Sequence, residues 1–426
     1  MTPAATARLA VASDVSVAEA LALISATLRD LCVQGPGHER VPLSAAQGRV
    51  LAAELRAPLE LPPHDNAAMD GYALRSTDLA PGDSTVWPVM AGTVLAGASP
   101  SRAVPPGHCV RIMTGAAMPD GLDTVVPLES CDVIDGFLHV TCGRVMPGAN
   151  CRRRGEDVAR GAVALPAGRR LRAADLGVLA SLSCAHVEVL PRPRVALLST
   201  GDELRQPGQP LDVGCIYDSN RFALRAVLEG CGADVVDLGC VGDDAQALWK
   251  GLADGVIGAD AIVTSASASH GDADHLAAAV SRMGGLLLQG VRMRPGKPFC
   301  FGTVHGKGRV VPIFGLPGNP VAALVCLQVL AGPALAALAG DRFWSHRSLR
   351  VRLAGPISKR SGRTEFPRAR LVQAVDGTYV AELLAGQGSA SLRSLAEADA
   401  LVCLPESASL IDTWQWVDAY PIPGAG

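Results

Sequence analysis

The stretch RVALLSTGDEL, residues 194–204, joins an apolar run typical of a buried strand to a turn with two acidic residues. Three later apolar runs, DAIVTSA, LLLQGVR and VVPIF, also end in turns rich in Gly or Pro. Alternating strands and helices predict a parallel sheet, in which the turns after the strands gather at one ligand-binding edge. We therefore predict a three-layer α/β sandwich over residues 186–340, with a binding cleft at that edge.

Segments outside this unit have different patterns. Residues 46–145 alternate short apolar runs with Gly and Pro turns, which predicts a β-rich module. Residues 1–45 and 146–185 are predicted to form a helical linker domain on either side of that module. Alternating runs over residues 341–426 predict a small C-terminal β domain. The fold class is thus multidomain α/β.

Capping residues and apolar periods predict the helices. Ser16 precedes a 3.6-residue period that runs to about Leu31, and we interpret this segment as a linker helix. A second linker helix is predicted from Ala173 to Leu182. The predicted helices of the sandwich lie near residues 219–230, 243–256, 274–283 and 320–330.

Composition excludes several classes of protein. The chain has 426 residues, of which 49% are hydrophobic, and a net charge of −3, so neither nucleic acid nor an anionic membrane is attracted overall. Twelve cysteines without a CxxC pair disfavour a zinc ribbon or a disulfide scaffold and favour a reducing compartment, so we expect a cytoplasmic protein. The N-terminus has no pattern of a secretory signal.

One segment is apolar enough to suggest a membrane span. Residues 321–340 are nearly all apolar, but Gln328 and the Gly332-Pro333 break interrupt the run. Because the segment directly follows a strand and turn, we predict a buried helix of the sandwich and no membrane partner.

Two acidic pairs follow strands at the predicted edge, Asp202-Glu203 and Asp243-Asp244. Carboxylates there can hold Mg²⁺ through oxygen ligands and water, or they can simply cap helices. His270 and His275 allow a transition-metal reading, but no third ligand has suitable spacing.

Polar motifs outside the sandwich also allow two interpretations. The turn at Thr114 offers backbone N–H groups to an anion, or is a plain turn. The run Arg152-Arg153-Arg154 either binds an anion or forms a solvated face. Neither motif alone decides between these alternatives.

Seven motifs, taken in order, resemble one family. They are PxxDNxAMDGYA, RIMTGAxMPxGxDTVV, RRRGEDV, STGDEL with IYDSNR, RPGKPFxFG, GLPGNPVAA and QGSASLRSLAEADALVCLPE. Together they span almost the whole chain and resemble molybdopterin molybdenumtransferase, the family that includes the C-terminal enzyme domain of gephyrin. The resemblance implies a four-domain, elongated homodimer whose α/β unit is of the molybdopterin-binding type.

The resemblance also implies a reaction. Adenylylated molybdopterin and molybdate are the substrates, Mg²⁺ is the cofactor, and AMP leaves as molybdenum enters the dithiolene. Partners would include molybdopterin adenylyltransferase and the molybdoenzymes that receive the product. The alternatives are a degenerate paralogue that binds pterin or molybdate as a carrier or regulator, and the preceding adenylyltransferase, which needs only the α/β unit.

Matching motifs imply the site residues. The catalytic set is Asp65, Thr114, Asp157, Glu203, Asp243 and Asp274, and the last three are also the implied metal ligands. The implied substrate-binding set is Ser269, Gly271, Arg294, Lys297, Pro317 and Pro320. Asp65 and Thr114 would act on the cleft of the other subunit.

The chain departs from the family pattern at three places. Two glycines of the central cleft loop are replaced by Ala266 and Ser267, which removes residues that tolerate positive φ. A basic residue usual in the family is Gly290 here, and we expect Arg292 to replace it. The tail has Asp399 where the family usually has Asn. These changes concern ligand binding more than the fold.

Overall fold

The computed structural model describes residues 11–31, 37–78, 86–98, 103–141, 145–265 and 273–422, and the side chains of Ala273 and Asp274 are not included. The predicted sandwich is built on a seven-stranded sheet. Its strands lie side by side in the order Ala12–Val15, Gly284–Val291, Cys300–Gly306, Arg309–Leu316, Ala261–Ser265, Arg194–Thr200 and Asp234–Val241.

Strand direction in this sheet brings the predicted turns together. All neighbours pair in parallel, except that Cys300–Gly306 runs antiparallel to both of its neighbours. The strands Arg194–Thr200, Ala261–Ser265, Gly284–Val291 and Arg309–Leu316 therefore point the same way. The turns that follow Arg194–Thr200, Gly284–Val291 and Arg309–Leu316 therefore share one edge, as the sequence predicts, and the turn after Ala261–Ser265 lies outside the described residues.

Helices cover both faces of the sheet, which confirms the three layers. One face is packed by Leu248 and Leu252 of the helix Ala245–Val256 and by Val280 of the helix Ala273–Met283. The opposite face is packed by helices Val17–Leu31, Ser219–Gly230 and Pro320–Cys326. A second group of buried apolar residues thus forms a core on that side.

The N-terminal segment, predicted as part of the linker domain, is divided: residues 12–31 pack on the sandwich, whereas Glu39–Pro42 pairs with His186–Val189. Ala12–Val15 forms the edge strand beside Gly284–Val291, and Ile24 of the helix Val17–Leu31 lies in the sandwich core. The helix begins as predicted, because Ser16 Oγ accepts a hydrogen bond from Glu19 N at 3.2 Å. An apolar stripe predicts a buried helix face, but not which sheet receives it.

The apolar helix suspected of crossing a membrane is a core helix. Pro320–Leu338 is long and apolar enough to span a bilayer, yet 72% of its most apolar window is buried inside the protein. It consists of the helix Pro320–Cys326, a π-helical turn Leu327–Ala331 and the helix Gly332–Leu338.

Paired strands connect the linker segments to neighbouring parts of the chain, including residues 55–67 of the β-rich module. Glu39–Pro42 pairs with His186–Val189, Leu55–Arg56 with Val163–Leu165, and Asn66–Ala67 with Cys151–Arg152. The predicted second helix is Ala173–Ser181. Its Leu179 packs with Val187 and Leu171 in a small core.

Two β domains complete the chain. The β-rich module is a six-stranded sheet in the order Thr124–Pro127, Gly71–Leu74, Cys109–Ile112, Val86–Val94, Phe137–Val140 and Cys131–Ile134. The C-terminal domain is a closed barrel of Leu349–Leu353, Tyr379–Leu383, Arg368–Gln373, Ala400–Cys403 and Trp416–Pro421, with a short helix Leu392–Ala396.

Short elements sit between and beside these sheets. Met293–Arg294 pairs with Thr364–Glu365, which joins the sandwich to the barrel. Two more strand pairs are Leu204–Arg205 with Ile216–Tyr217, and Ile357–Ser358 with Leu410–Ile411. Single 3₁₀ turns lie at Leu43–Ala45, Ser76–Asp78 and Leu128–Ser130.

Candidate functional site

Asp65 joins two of the sequence motifs. Its carboxylate accepts hydrogen bonds from Arg154 N at 2.7 Å and from Arg153 Nη1 at 2.9 Å. The backbone N–H of Arg154, followed by the Arg153 side chain, lowers the pKa of Asp65. Asp65 is therefore an anion at neutral pH that fixes the arginine run. Arg154 also pairs with Glu60 at 3.0 Å, so the run is more than a solvated face.

Thr114 is held by a residue that the sequence analysis left unassigned. Both Thr114 N and Oγ1 donate to Asp70 Oδ1, at 2.7 and 2.6 Å. The Thr114 hydroxyl, followed by its N–H, lowers the pKa of Asp70. The proton of the hydroxyl is thus taken, and its lone pairs remain to accept from a ligand. The Asp70-Gly71 pair read as a turn in the sequence, so no signal marked this contact.

Asp157 lines an open cavity of about 640 Å³ between the linker and the β-rich module. The lining residues are Leu61, Pro62, Asn66, Arg152, Glu156 and Asp157. Asn66 is 7% exposed, and its Oδ1 has no hydrogen-bond partner in the described part of the chain. A buried unpaired acceptor carries a free-energy cost, which a donor from a ligand would remove.

Two of the carboxylates in the acidic turns at the sheet edge have structural roles. Asp244 caps the helix Ala245–Val256 by accepting from Ala247 N at 2.8 Å, and Asp202 Oδ1 accepts from Asp243 N at 3.2 Å. Glu203 folds back over Gly201, so that a Cβ on Gly201 would collide with its carboxylate. Capping therefore explains one residue of the second pair.

The carboxylates at this edge of the sheet are of the ligand type that Mg²⁺ prefers. Mg²⁺ in proteins is usually held by one or two carboxylates together with substrate phosphates, and Glu203 and Asp243 supply two. Residues 273–422 and the earlier described segments hold no group of three His, Cys, Asp or Glu side chains that could bind a metal. The third implied ligand, Asp274, begins the helix Ala273–Met283, but its side chain is not described.

Several predicted residues lie outside the described part of the chain. Ser269, Gly271 and the altered loop with Ala266 and Ser267 belong to this group, as does His270. Their roles stay predictions.

Asn220, from the IYDSNR motif, connects two of the turns. Its Nδ2 donates to Ser265 Oγ and to Gly318 O, both at 2.7 Å. It therefore ties the end of the strand Ala261–Ser265 to the GLPGNP loop. In that loop Pro317 is buried and Pro320 is the first residue of a helix. The sequence motif contained Asn220, but its role depends on contacts distant in the chain.

A second cavity lies where the sandwich meets the barrel. Its volume is about 610 Å³, and it is lined by Arg294, Ser358, Lys359, Arg360, Ser361, Gly362, Arg363 and Glu365. Four cationic side chains thus face one carboxylate, and Arg294 Nη1 lies 3.8 Å from Glu365 Oε1. Such a cavity favours anions with several oxygens. Lys297 is exposed and is not one of the residues that line this cavity.

Sequence reasoning found Arg294 but missed the other three cations. The run KRSGR, residues 359–363, places three cations in five residues around a glycine. That density is the signal that could have marked it. Its distance from the sheet turns in the sequence concealed the connection.

Arg292, the candidate replacement for the missing cation, is engaged by partners within the chain. Arg292 Nε donates to Glu406 at 2.5 Å, Nη1 donates to Asp14 O, and Nη2 lies 3.6 Å from Glu19. The hydrogen bond to Glu406 raises the pKa of Arg292. Arg292 thus ties the N-terminal strand to the barrel. Gly290 has φ +86°, a conformation that favours glycine.

Models of known protein families match nearly the whole length of this chain. Family models match as the MoeA N-terminal region (domains I and II) over residues 15–183, the probable molybdopterin binding domain over 196–337, and the MoeA C-terminal region (domain IV) over 350–422. Molybdopterin molybdenumtransferase of Haemophilus influenzae is 33% identical over 386 residues, covering 90% of this chain and 93% of the relative.

This chain belongs to the molybdopterin molybdenumtransferase family. Molybdopterin molybdenumtransferase 2 of Mycobacterium tuberculosis is 39% identical over 378 residues, which covers 86% of this chain and 90% of the relative. The crystal structure of the molybdopterin biosynthesis MoeA protein of Pyrococcus horikoshii superposes with a TM-score of 0.74 at 27% identity, over 96% of this chain and all of that one. The resemblance drawn from the motifs is confirmed.

Proposed function

We propose that this chain is an active molybdopterin molybdenumtransferase, which inserts molybdenum from molybdate into adenylylated molybdopterin and releases AMP. The observation that carries the proposal is the cavity of about 610 Å³ lined by four cationic residues, one of which, Arg294, comes from the turn after the strand Gly284–Val291. Both substrates are anions with several oxygens, and such anions need cations and backbone donors. The relatives' names support the same transferase activity.

In this proposal the guanidinium groups of Arg294, Arg360 and Arg363 bind oxyanion oxygens. Arginine suits this role because its planar donors can contact two oxygens at once. Glu365 offsets part of the positive charge near Arg294, which keeps the anion from being held too tightly for release. The glycine-rich turns contribute backbone N–H groups toward the phosphate of the pterin.

Mg²⁺ is the proposed cofactor, with Glu203, Asp243 and Asp274 as its proposed ligands. When bound, it would offset the negative charge that develops on the phosphate as AMP leaves. Glu203 and Asp243 lie on neighbouring turns of the sheet edge, since Asp202 of the first turn accepts from the backbone of the second.

We further propose that the active form is a homodimer in which Asp65 and Thr114 of one subunit complete the cleft of the other. Their support is that Asp65 is fixed by Arg154 of the linker and Thr114 by Asp70 of its own module, so each can present a set surface to a partner. A stable monomer in light scattering at micromolar concentration would contradict this assembly.

Cytoplasmic residence is also proposed, with support from ten free thiols in the part of the chain that the structure describes. Molybdopterin adenylyltransferase and recipient molybdoenzymes remain proposed partners, because one makes the substrate and the others consume the product.

The experiment combines purified protein, adenylylated molybdopterin, Mg²⁺ and molybdate, and follows AMP release and reconstitution of a cofactor-free molybdoenzyme. Both signals are expected. Pterin binding without AMP release would instead favour the carrier or regulator, and adenylylation of molybdopterin from ATP would favour the preceding enzyme.

A further inference from the structure

The side chain of Lys359 ends among backbone carbonyl oxygens. Its Nζ lies 2.9 Å from Arg363 O, 3.0 Å from both Pro405 O and Ala408 O, and 3.4 Å from Arg360 O. We call these four oxygens the carbonyl ring. An ammonium has three protons, and the three short contacts use all of them. Lys359 therefore lines the anion cavity without a proton left to give to an anion.

The carbonyl ring joins two segments of the barrel domain. Arg360 O and Arg363 O come from the loop that carries the cavity's arginines, whereas the other two oxygens come from the turn 405–408. Gly362 N also donates to Glu406 O at 2.9 Å, and Lys359 N donates to Ser409 O at 2.8 Å. The ammonium is thus the central charge of the contact between loop and turn.

The guanidinium groups of Arg360 and Arg363 have no side-chain partner among the residues that the structure describes. Neither the Arg360 nor the Arg363 guanidinium makes an ion pair or a side-chain hydrogen bond within the described residues. Their placement in the cavity therefore depends on the backbone of the loop. That backbone in turn depends on the ammonium, because removing it would leave several carbonyl oxygens facing one another without a donor.

We propose that Lys359 is a positioning residue for oxyanion binding: its ammonium organises the carbonyl ring and thereby sets the positions of Arg360 and Arg363. This inference rests on the proposed function, since it concerns the same cavity. It also predicts that the ring accepts a small monovalent cation when the side chain is removed. Carbonyl oxygens at about 3 Å suit free ammonium or K⁺, whereas a planar guanidinium does not fit a compact ring.

The test measures molybdate binding to the full-length protein by titration calorimetry, at constant ionic strength, in sodium or ammonium chloride. Lys359→Ala is expected to bind molybdate about tenfold more weakly in sodium, because the loop must be ordered on binding. Ammonium should restore most of that loss, and it should leave the wild-type affinity unchanged. Equal affinities of Lys359→Ala and the wild type in sodium would overturn the positioning role.

Two matched variants distinguish an effect of the carbonyl ring from an effect of net charge alone. Lys359→Arg keeps the charge but cannot seat in the ring, so it is expected to bind weakly and not to respond to ammonium. Arg360→Ala removes a cation from the same loop and leaves Lys359 in place, so ammonium should not rescue it. Wild-type affinity of Lys359→Arg, or equal ammonium rescue of Arg360→Ala, would show that net charge alone matters and would overturn the inference.

Thermal unfolding provides a readout that does not need the anion. Ammonium should raise the Tm of Lys359→Ala but not that of Lys359→Met, whose apolar side chain blocks the ring. Equal responses of the two variants would contradict a cation site. A wild type that binds no molybdate would remove the proposed function together with the positioning role, whereas failure of Lys359 alone leaves the function standing.

Discussion

Gly296→Ala tests how tightly the turn that carries Arg294 and Lys297, after the strand Gly284–Val291, is packed against the core. Gly296 has φ +114°, and a Cβ there would lie 2.5 Å from Cys326 Sγ and 3.1 Å from Met293 Cε. Cys326 is fully buried, so it cannot move into solvent. Backbone strain of about 1–3 kcal/mol and overpacking of about 1–3 kcal/mol add to a loss of about 2–6 kcal/mol in the free energy of unfolding.

Urea denaturation measures this loss, and two comparisons divide it. Gly208→Ala is the matched control, because Gly208 has φ +91° with nothing within 4 Å of its added Cβ, so it carries only the backbone strain. In a Cys326→Ala background most of the overpacking at Gly296 should be relieved, because only the contact to the flexible Met293 side chain remains, and the loss should fall toward the backbone strain of about 1–3 kcal/mol. If Gly296→Ala cost no more than Gly208→Ala, or if the Cys326→Ala background gave no relief, the packing argument would be refuted.

Three further predictions concern charges. Hydrogen bonds from Thr114 lower the pKa of Asp70, so the stability that this carboxylate contributes is present above about pH 4 and is lost as the pH falls through its lower folded pKa. The difference in stability between the wild type and Asp70→Asn should therefore shrink on acidification. A constant difference between pH 6 and pH 2 would contradict this prediction. Glu365→Gln removes the one carboxylate of the cationic cavity, so calorimetry should show molybdate bound about tenfold more tightly, whereas weaker binding would mean that Glu365 is needed to orient Arg294. Mixing Asp65→Ala and Asp274→Ala chains should restore part of the AMP release in heterodimers, and no recovery despite proven subunit exchange would place the site within one subunit.

Local sequence signals predict the elements of this fold well. The helix Val17–Leu31 follows from its Ser16 cap and its apolar period, and the three described turns at the sheet edge follow from strand patterns that end in Gly or Pro. These signals depend on residues a few positions apart, so they can be read directly. The reversed direction of Cys300–Gly306 is not encoded in its strand pattern, and the local feature that produces it is the two-residue turn Lys307-Gly308, in which both residues have positive φ.

Partner choice over long sequence distances could not be predicted. Thr114 meets Asp70 across 44 positions, and Arg292 meets Glu406 across 114. The sequence indicated cations near the substrate, but a cation can bind a ligand or another part of the chain equally well. Only the packing of the barrel against the sandwich shows that Arg292 is engaged and that Arg363 lines a cavity.

If AMP release and molybdenum insertion are coupled through the cationic cavity, the two must keep a fixed stoichiometry, which can be measured in one reaction mixture. Wild-type protein is expected to release one AMP for each molybdenum that enters the product, and to release little AMP when molybdate is omitted. Arg363→Ala should reduce both signals in parallel, by about 10²-fold if it removes a preorganised charge partner. AMP release that proceeds unchanged without molybdate, or an Arg363→Ala variant with wild-type insertion, would contradict the account.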